Sequence, residues 1–211
     1  MRIRVALAAL ACTGLVSTGT LQAQNSRAFC DELFTQLTVG EYARWRFEMK
    51  DQREMTISIA VVDRESQGGE ELYWIEMMMP MPVGGTLITA QMLVPGFPFD
   101  AGEMLDYIVQ YGDQPPVRVP AGDIGNFPGA GWREECRNTN AEYVGIEKVT
   151  LEGVGTFDAH HVRTMGEEPG HWFFTSQVPF AMLKFESVEG SVRLVEIRTD
   201  YLGTIDRSTI Q

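Results

Sequence analysis

The sequence predicts a mainly β fold with minor α content: a curved antiparallel sheet, or half-barrel, with one or two helices covering or plugging its concave face. Apolar and polar residues alternate in repeated short runs, the period of strands with one wet face. Glycine- and proline-rich turn signals separate those runs at short intervals. An antiparallel sheet of that many strands curls or closes.

The first element is a leader. Arg2 and Arg4 precede an apolar run from Val5 to Val16, and polar residues then lead to Ala23. This is the order of a secretory signal peptide, with cleavage expected after Ala23. The run is shorter than the roughly 20 residues of a membrane-spanning helix, and no later segment approaches that length without a charge. Cys12, after Leu10-Ala11, marks a rival lipoprotein-type site, but Ala9 stands where such a site has leucine. Residues 24–211 are expected to form a single β-rich domain in the periplasm or outside the cell, with no transmembrane segment.

A short amphipathic helix is expected from Ser26 to Leu37, with Phe29, Leu33, Phe34 and Leu37 on one stripe. Gly40 breaks it. Ala43, Trp45, Phe47 and Met49 then alternate with charged residues, and Met55, Ile57, Ile59 and Val61 share a face of the next strand. Ser66-Gln67-Gly68-Gly69 turns the chain into a third strand, Leu72 to Met79, whose two faces are both apolar. That strand must be covered on both sides or carry a greasy groove on one. A fourth strand, Thr86 to Val94, follows a connection containing Pro80, Pro82 and Gly84-Gly85.

A second helix is expected between Asp100 and Tyr111, because Asp100 with Glu103 forms a capping box and Met104, Leu105, Ile108 and Val109 fall on one stripe. Gly112 to Arg137 reads as a long glycine- and proline-rich loop of the kind that forms lids or binding loops. Five further strands are expected: Tyr143 to Leu151, Thr156 to Thr164, His171 to Val178, Met182 to Val188 and Ser191 to Asp200.

The formal net charge is −12, and loss of the leader, which holds two arginines and no acid, deepens it. Such a surface offers neither counterion release to nucleic acid nor attraction to anionic lipid head groups. Of three cysteines, Cys12 leaves with the leader, and Cys30 with Cys136 is expected to form one disulfide.

Little in the sequence carries catalysis. It has no G-x-S-x-G, P-loop or H-E-x-x-H, and its acids are scattered, so an enzyme is not expected and no cofactor is implied. Gly153-Val154-Gly155 lacks the third glycine and the helix of a dinucleotide site, and reads as a turn between strands. His160 and His161 point to opposite faces of a strand, whereas His161 can face His171 across a hairpin holding Glu167 and Glu168. The choice there lies between a weak metal-binding or pH-sensing surface and plain hairpin histidines; no metal-ligand spacing supports the former.

Soft and wide apolar residues stand out instead. Thioethers and aromatic rings accommodate ligands of variable shape. These residues either fill the core of a sheet covered by helices, the stronger reading for any one of them, or line a hydrophobic ligand site, for which the candidates are Trp45, Phe47, Met49, Ile57, Ile59, Tyr73, Ile75, Met77, Met79, Met104 and Ile108.

The chain resembles the periplasmic lipoprotein-carrier-like superfamily of the LolA and LolB type, and related uncharacterised secreted β families. The matching features are the leader, the run Gly40 to Phe47, Tyr73-Trp74-Ile75-Glu76, and Gly155-Thr156-Phe157-Asp158-Ala159 followed by Trp172 and Val178-Pro179-Phe180. The resemblance implies a curved sheet whose concave face, partly plugged by helices, holds acyl chains. It implies a noncatalytic protein that binds a lipid, a lipoprotein acyl chain or another hydrophobic ligand. The alternative is an envelope scaffold that meets another protein and has no small-molecule ligand.

Overall fold

The computed structural model of the chain describes residues 33, 37–51, 53–81, 84–99, 103–120, 141–165 and 169–210. The chain is mostly β, and its strands join in one large antiparallel sheet that does not close into a barrel. In chain order they are β1 (Tyr42–Met49), β2 (Met55–Gln67), β3 (Glu70–Pro80), β4 (Leu87–Val94), β5 (Asp106–Tyr111), β6 (Val117–Arg118), β7 (Ala141–Leu151), β8 (Gly155–Thr164), β9 (Gly170–Phe174), β10 (Met182–Ser187) and β11 (Gly190–Arg198). The sheet order is β6-β5-β4-β3-β2-β1-β11-β10-β9-β8-β7. Two meanders are thus sewn together where β1 pairs with β11, Tyr42 opposite Arg198 and Met49 opposite Gly190.

Local sequence explains most of these elements. Gly68 and Gly69 both have positive φ, 63° and 89°, which suits the two-residue turn of the β2–β3 hairpin. The broken glycine pattern at Gly153-Val154-Gly155 is a turn between strands, as expected: the chain reverses there from Leu151, the last residue of β7, into β8.

The register lays one apolar row across the first meander. Trp45 lies opposite Ile57, Ile59 opposite Met77, Val61 opposite Ile75, and Ile75 opposite Met92. These side chains belong to the main core, which also takes Val162, Phe174, Met182, Val192 and Leu194 from the second meander. Trp45 is fully buried and its indole N–H donates to the Met182 carbonyl at 2.9 Å, joining the two halves.

The expected helix between Asp100 and Tyr111 is not formed: Asp106–Tyr111 is strand β5, paired along β4 from Leu93 opposite Asp106 to Ile88 opposite Tyr111. The helical spacing of Met104, Leu105, Ile108 and Val109 competes with the β-branched and aromatic run Tyr107-Ile108-Val109-Gln110-Tyr111, and pairing with β4 decides for the strand. Met104 and Ile108 consequently separate. Met104 packs in the main core, whereas Ile108, opposite Gln91, lies on the other face with Leu72, Trp74 and Leu93. The expected loop from Gly112 contains β6, and its remainder from residue 121 lies outside the described residues, as do Cys30, Cys136, Glu167, Glu168 and most of the Ser26 to Leu37 helix. Among the described residues no helix is long and apolar enough to cross a membrane.

Strand β3 is covered on both sides, the first of the two alternatives its sequence allows. Its second face is covered by the C-terminal segment, whose Ile205 joins Leu72, Trp74, Leu93 and Ile108 in a smaller cluster, with Ile210 packed against it. The anchor is Glu76, a carboxylate with no exposed surface. It accepts hydrogen bonds from Gln91 Nε2 (2.7 Å), the Tyr201 hydroxyl (2.7 Å), the Thr204 amide (2.9 Å) and hydroxyl (3.1 Å), and the Ile205 amide (3.3 Å). Arg207 finishes the strap, its guanidinium 4.5 Å from the Trp74 ring centre and paired with Asp63. The strap begins where the Tyr201 amide donates to the Gly40 carbonyl at 3.0 Å. Gly40 has φ 94°, and a Cβ there would lie 2.6 Å from the Thr199 carbonyl oxygen, so only glycine fits.

Removing the Glu76 carboxylate leaves several donors without their acceptor and frees the strap. Glu76→Ala should therefore cost on the order of 3 kcal/mol in urea denaturation, with faster proteolysis of residues 201–210. A second expectation concerns alkali. Burial, followed by the hydrogen bond to and charge of Glu76, pushes the Tyr201 phenol far above its ordinary value. A group whose pKa is raised by folding stabilises the fold fully below its unfolded value of about 10 and loses that contribution as pH rises above it. Stability should fall as pH is raised past about 10, and Tyr201→Phe should flatten that slope in denaturation measured from about pH 8 to 11.

Candidate functional site

Most sequence-predicted ligand-lining residues are brought together, but as core. Trp45, Ile57, Ile59, Ile75, Met77 and Met104 are buried, and Phe47, Tyr73 and Met79 pack against them half-buried. Ile108 lies on the opposite face. Met49 sits at the far end of β1 beside Lys50, Val188 and Glu189, away from the aromatic core.

The core opens at the other end of β1. A cavity of about 590 Å³ there is lined by Leu33, Leu37, Phe97, Val178, Pro179 and Phe180, with Thr38, Glu41, Gln177, Arg198 and Thr199 at its polar rim. That size lies within the roughly 300–1,000 Å³ typical of small-molecule sites. Its floor is aromatic. The Phe97 and Phe180 rings meet edge to face at 4.9 Å, and Phe180 reaches Trp45 at 6.1 Å. The opening is thereby continuous with the buried core.

Two loops position this floor. Phe97 comes from the segment between β4 and β5, where Phe97 and Phe99 are both buried. Phe180 comes from the β9–β10 connection, folded back on itself by hydrogen bonds from the Thr175 amide to the Ala181 carbonyl (2.8 Å) and from the Met182 amide to the Phe180 carbonyl (2.8 Å). That fold places Phe180 and Ala181 in succession at φ 60° and 59°, a left-handed conformation that side chains resist. Ring burial against Trp45 and Phe97 holds the strained turn in place.

A cation and an acid lie at the polar rim. Arg198 sits over the Tyr42 ring, 5.2 Å from its centre, and bonds Glu196. The Glu41 carboxylate accepts from the Thr38 amide at 3.0 Å. Phe97, Val178 and Phe180 were not among the sequence-predicted lining residues. The aromatic, proline-rich run Pro95-Gly96-Phe97-Pro98-Phe99 was the available signal.

A second opening, of about 830 Å³, lies at the other end of the sheet, lined by Arg53, Glu54, Met55, Thr56, Pro80, Met81, Gly84 and Gly85. Among the described residues that line it, none is aromatic. On β7–β9 the histidines are polar and paired. Tyr143 Oη lies 3.0 Å from His160 Nδ1, and burial shifts the His160 imidazole down and the Tyr143 phenol up. His161 does face His171, at 2.8 Å. Among the described residues no group of three or more His, Cys, Asp and Glu side chains is placed to hold a metal ion.

The strained turn yields predictions of opposite sign. Ala181→Gly should stabilise the chain by about 1 kcal/mol by relieving the left-handed strain, whereas Phe180→Ala should cost about 3 kcal/mol through the cavity it leaves. Thermal denaturation of the two variants measures both.

No family model and no curated protein matches the chain. Among solved structures it is similar to a protein provisionally described as exported, with a YmcC-like fold, from Bacteroides fragilis, at 10% identity over 78% of this chain and 98% of that one, with a TM-score of 0.38. It is also similar to a provisionally described lipoprotein from Parabacteroides distasonis, at 11% identity over 76% and 95% of the two chains, with a TM-score of 0.39. A DUF1329 family protein from Desulfovibrio piger is similar at 11% identity over 90% and 98%, with a TM-score of 0.36.

Proposed function

We propose that this is a noncatalytic protein, exported to the periplasm or beyond, that takes a lipid, a lipoprotein acyl chain or another hydrophobic ligand at the open end of its folded sheet. The observation that carries the reading is the opening over Phe97 and Phe180. Apolar side chains share its lining with a comparable number of polar ones, and its aromatic floor is continuous with the core. The leader supports export, and the reading needs no cofactor. The residues behind the floor act as its packed support, so the ligand sits at the mouth and not along the whole concave face.

Displacement of a fluorescent fatty acid from the purified chain tests this, together with solvent extraction of bound lipid. Val178→Glu places a charge in the apolar wall and should weaken uptake by at least about tenfold. Ile146→Glu, on the exposed side of β7, should leave uptake unchanged. Absence of both uptake and extracted lipid in the unaltered chain would refute the proposal.

A second reading is an envelope scaffold. It draws on β7, the outermost strand, where Val144 and Ile146 are 47% and 62% exposed. Strand edges recruit partner strands through backbone hydrogen bonds. Crosslinking that recovers one stoichiometric partner, with lipid analysis blank, would favour it.

A further inference from the structure

A line of three polar side chains crosses the second meander: Glu147 on β7, His161 on β8 and His171 on β9. Glu147 Oε1 is 2.7 Å from His161 Nδ1, and His161 Nε2 is 2.8 Å from His171 Nδ1. The register places them diagonally, since His161 lies opposite Gly145 and Phe173 while His171 lies opposite Arg163 and Glu186. His161 is only 8% exposed and stacks on the Phe173 ring at 4.4 Å, with Lys184 over that same ring. His171 is half-buried.

Hydrogen-bond logic orders the protons along this line. A carboxylate only accepts, so His161 donates from Nδ1, and in the neutral ring its Nε2 is then a bare lone pair. His171 must then donate from Nδ1 to that lone pair. The two ring nitrogens that face each other therefore share one proton. Replacing that proton with a cation needs a modest separation and a turn of the rings: two nitrogens bound at about 2.1 Å to a tetrahedral ion stand about 3.4 Å apart, roughly 0.6 Å wider than the pair as it stands, with both lone pairs swung toward the ion. Glu147 already holds His161 from behind, as a carboxylate orients a metal-bound imidazole.

We propose that His161 Nε2 and His171 Nδ1 form a two-nitrogen site for a borderline divalent transition ion such as Zn²⁺ or Ni²⁺, with water completing its shell. Imidazole nitrogen selects these ions over Mg²⁺ and Ca²⁺, which prefer oxygen. Binding moves the His171 proton from Nδ1 to Nε2. The proposal is independent of the apolar mouth.

The test titrates the full chain with Zn²⁺ and, separately, Mg²⁺ by calorimetry, and follows the imidazole tautomers by long-range ¹H–¹⁵N spectra. One equivalent of Zn²⁺ should bind, and His171 alone should change tautomer. His161→Gln and His171→Gln should each weaken binding by at least about tenfold, and Glu147→Gln by about tenfold. His160→Gln should leave it unchanged. No Zn²⁺ binding, or binding without a tautomer change at His171, overturns the proposal, as does binding kept within about twofold in both histidine variants. The tautomer measurement uses the unaltered chain, so it decides the matter even where a variant folds poorly.

Discussion

The buried carboxylate of Glu76 is the interaction on which the architecture turns. An open sheet has two faces, and β3 is apolar on both. Folding the two meanders toward one core covers only the first of them. The second requires a separate cover, and the segment after β11 supplies it with Ile205 buried and Ile210 partly so. Two isoleucines, one of them incompletely covered, bury too little surface to hold an irregular segment of this length against its conformational entropy. Directed hydrogen bonds make up the difference. Glu76 collects the Tyr201 hydroxyl and the Thr204 and Ile205 amides, and in doing so satisfies backbone groups that an irregular segment otherwise leaves unpaired. Because Tyr201 also bonds Gly40, the strap is tied to the start of β1 as well as to β3.

How much of this was legible follows from how local each cause is. Period-two alternation is a local signal, and β1, β2, β3, β4, β7, β8, β10 and β11 stand close to where it puts them. The two apolar faces of β3 were also legible, but the choice between covering both and leaving a groove on one was not. What covers the second face was not. Residues 201–210 have no apolar period, and Glu76 looks in sequence like any other scattered acid. Its role exists only because β4 brings Gln91 beside it and the chain returns after β11. Strand β5 was hidden for a different reason. Apolar residues at three- and four-residue steps satisfy a helix, yet the adjacent pairs within them also satisfy a strand buried on both sides. Only the neighbour, β4, arbitrates.

The candidate site divides in the same way. The aromatic and methionine residues of the first meander were recognisable as a group, and the structure gathers most of them. Their interdigitation, with Trp45, Ile75 and Met77 buried, makes them core packing and not the lining of an opening. The opening itself is built by two irregular loops, and loops are where periodicity carries no information. Phe180 illustrates the trade. A strained left-handed residue persists only where its surroundings over-determine it, and strain of this kind gathers at functional sites. Here the ring contacts with Phe97 and Trp45 hold the backbone turn, and the turn holds the ring at the floor of the opening.

The abundant acids also find a physical account. Arg44 and Glu196 are register partners on β1 and β11, as are Lys148 and Asp158, and Arg163 and Glu142, on β7 and β8; each couple forms an ion pair. Exposed pairs of this kind contribute little stability. Their stronger effect is on register. A slip of one residue moves each strand's charges to the face that carries the apolar row and separates these couples. The β1–β11 seam needs such marking most, since it joins strands from opposite ends of the chain with no short turn to set their alignment. Glu147 differs from them, because its partner is a histidine and not a fixed cation. On that line of the sheet a carboxylate orients a group with a lone pair to offer, which is why the chemistry proposed for β7–β9 rests there.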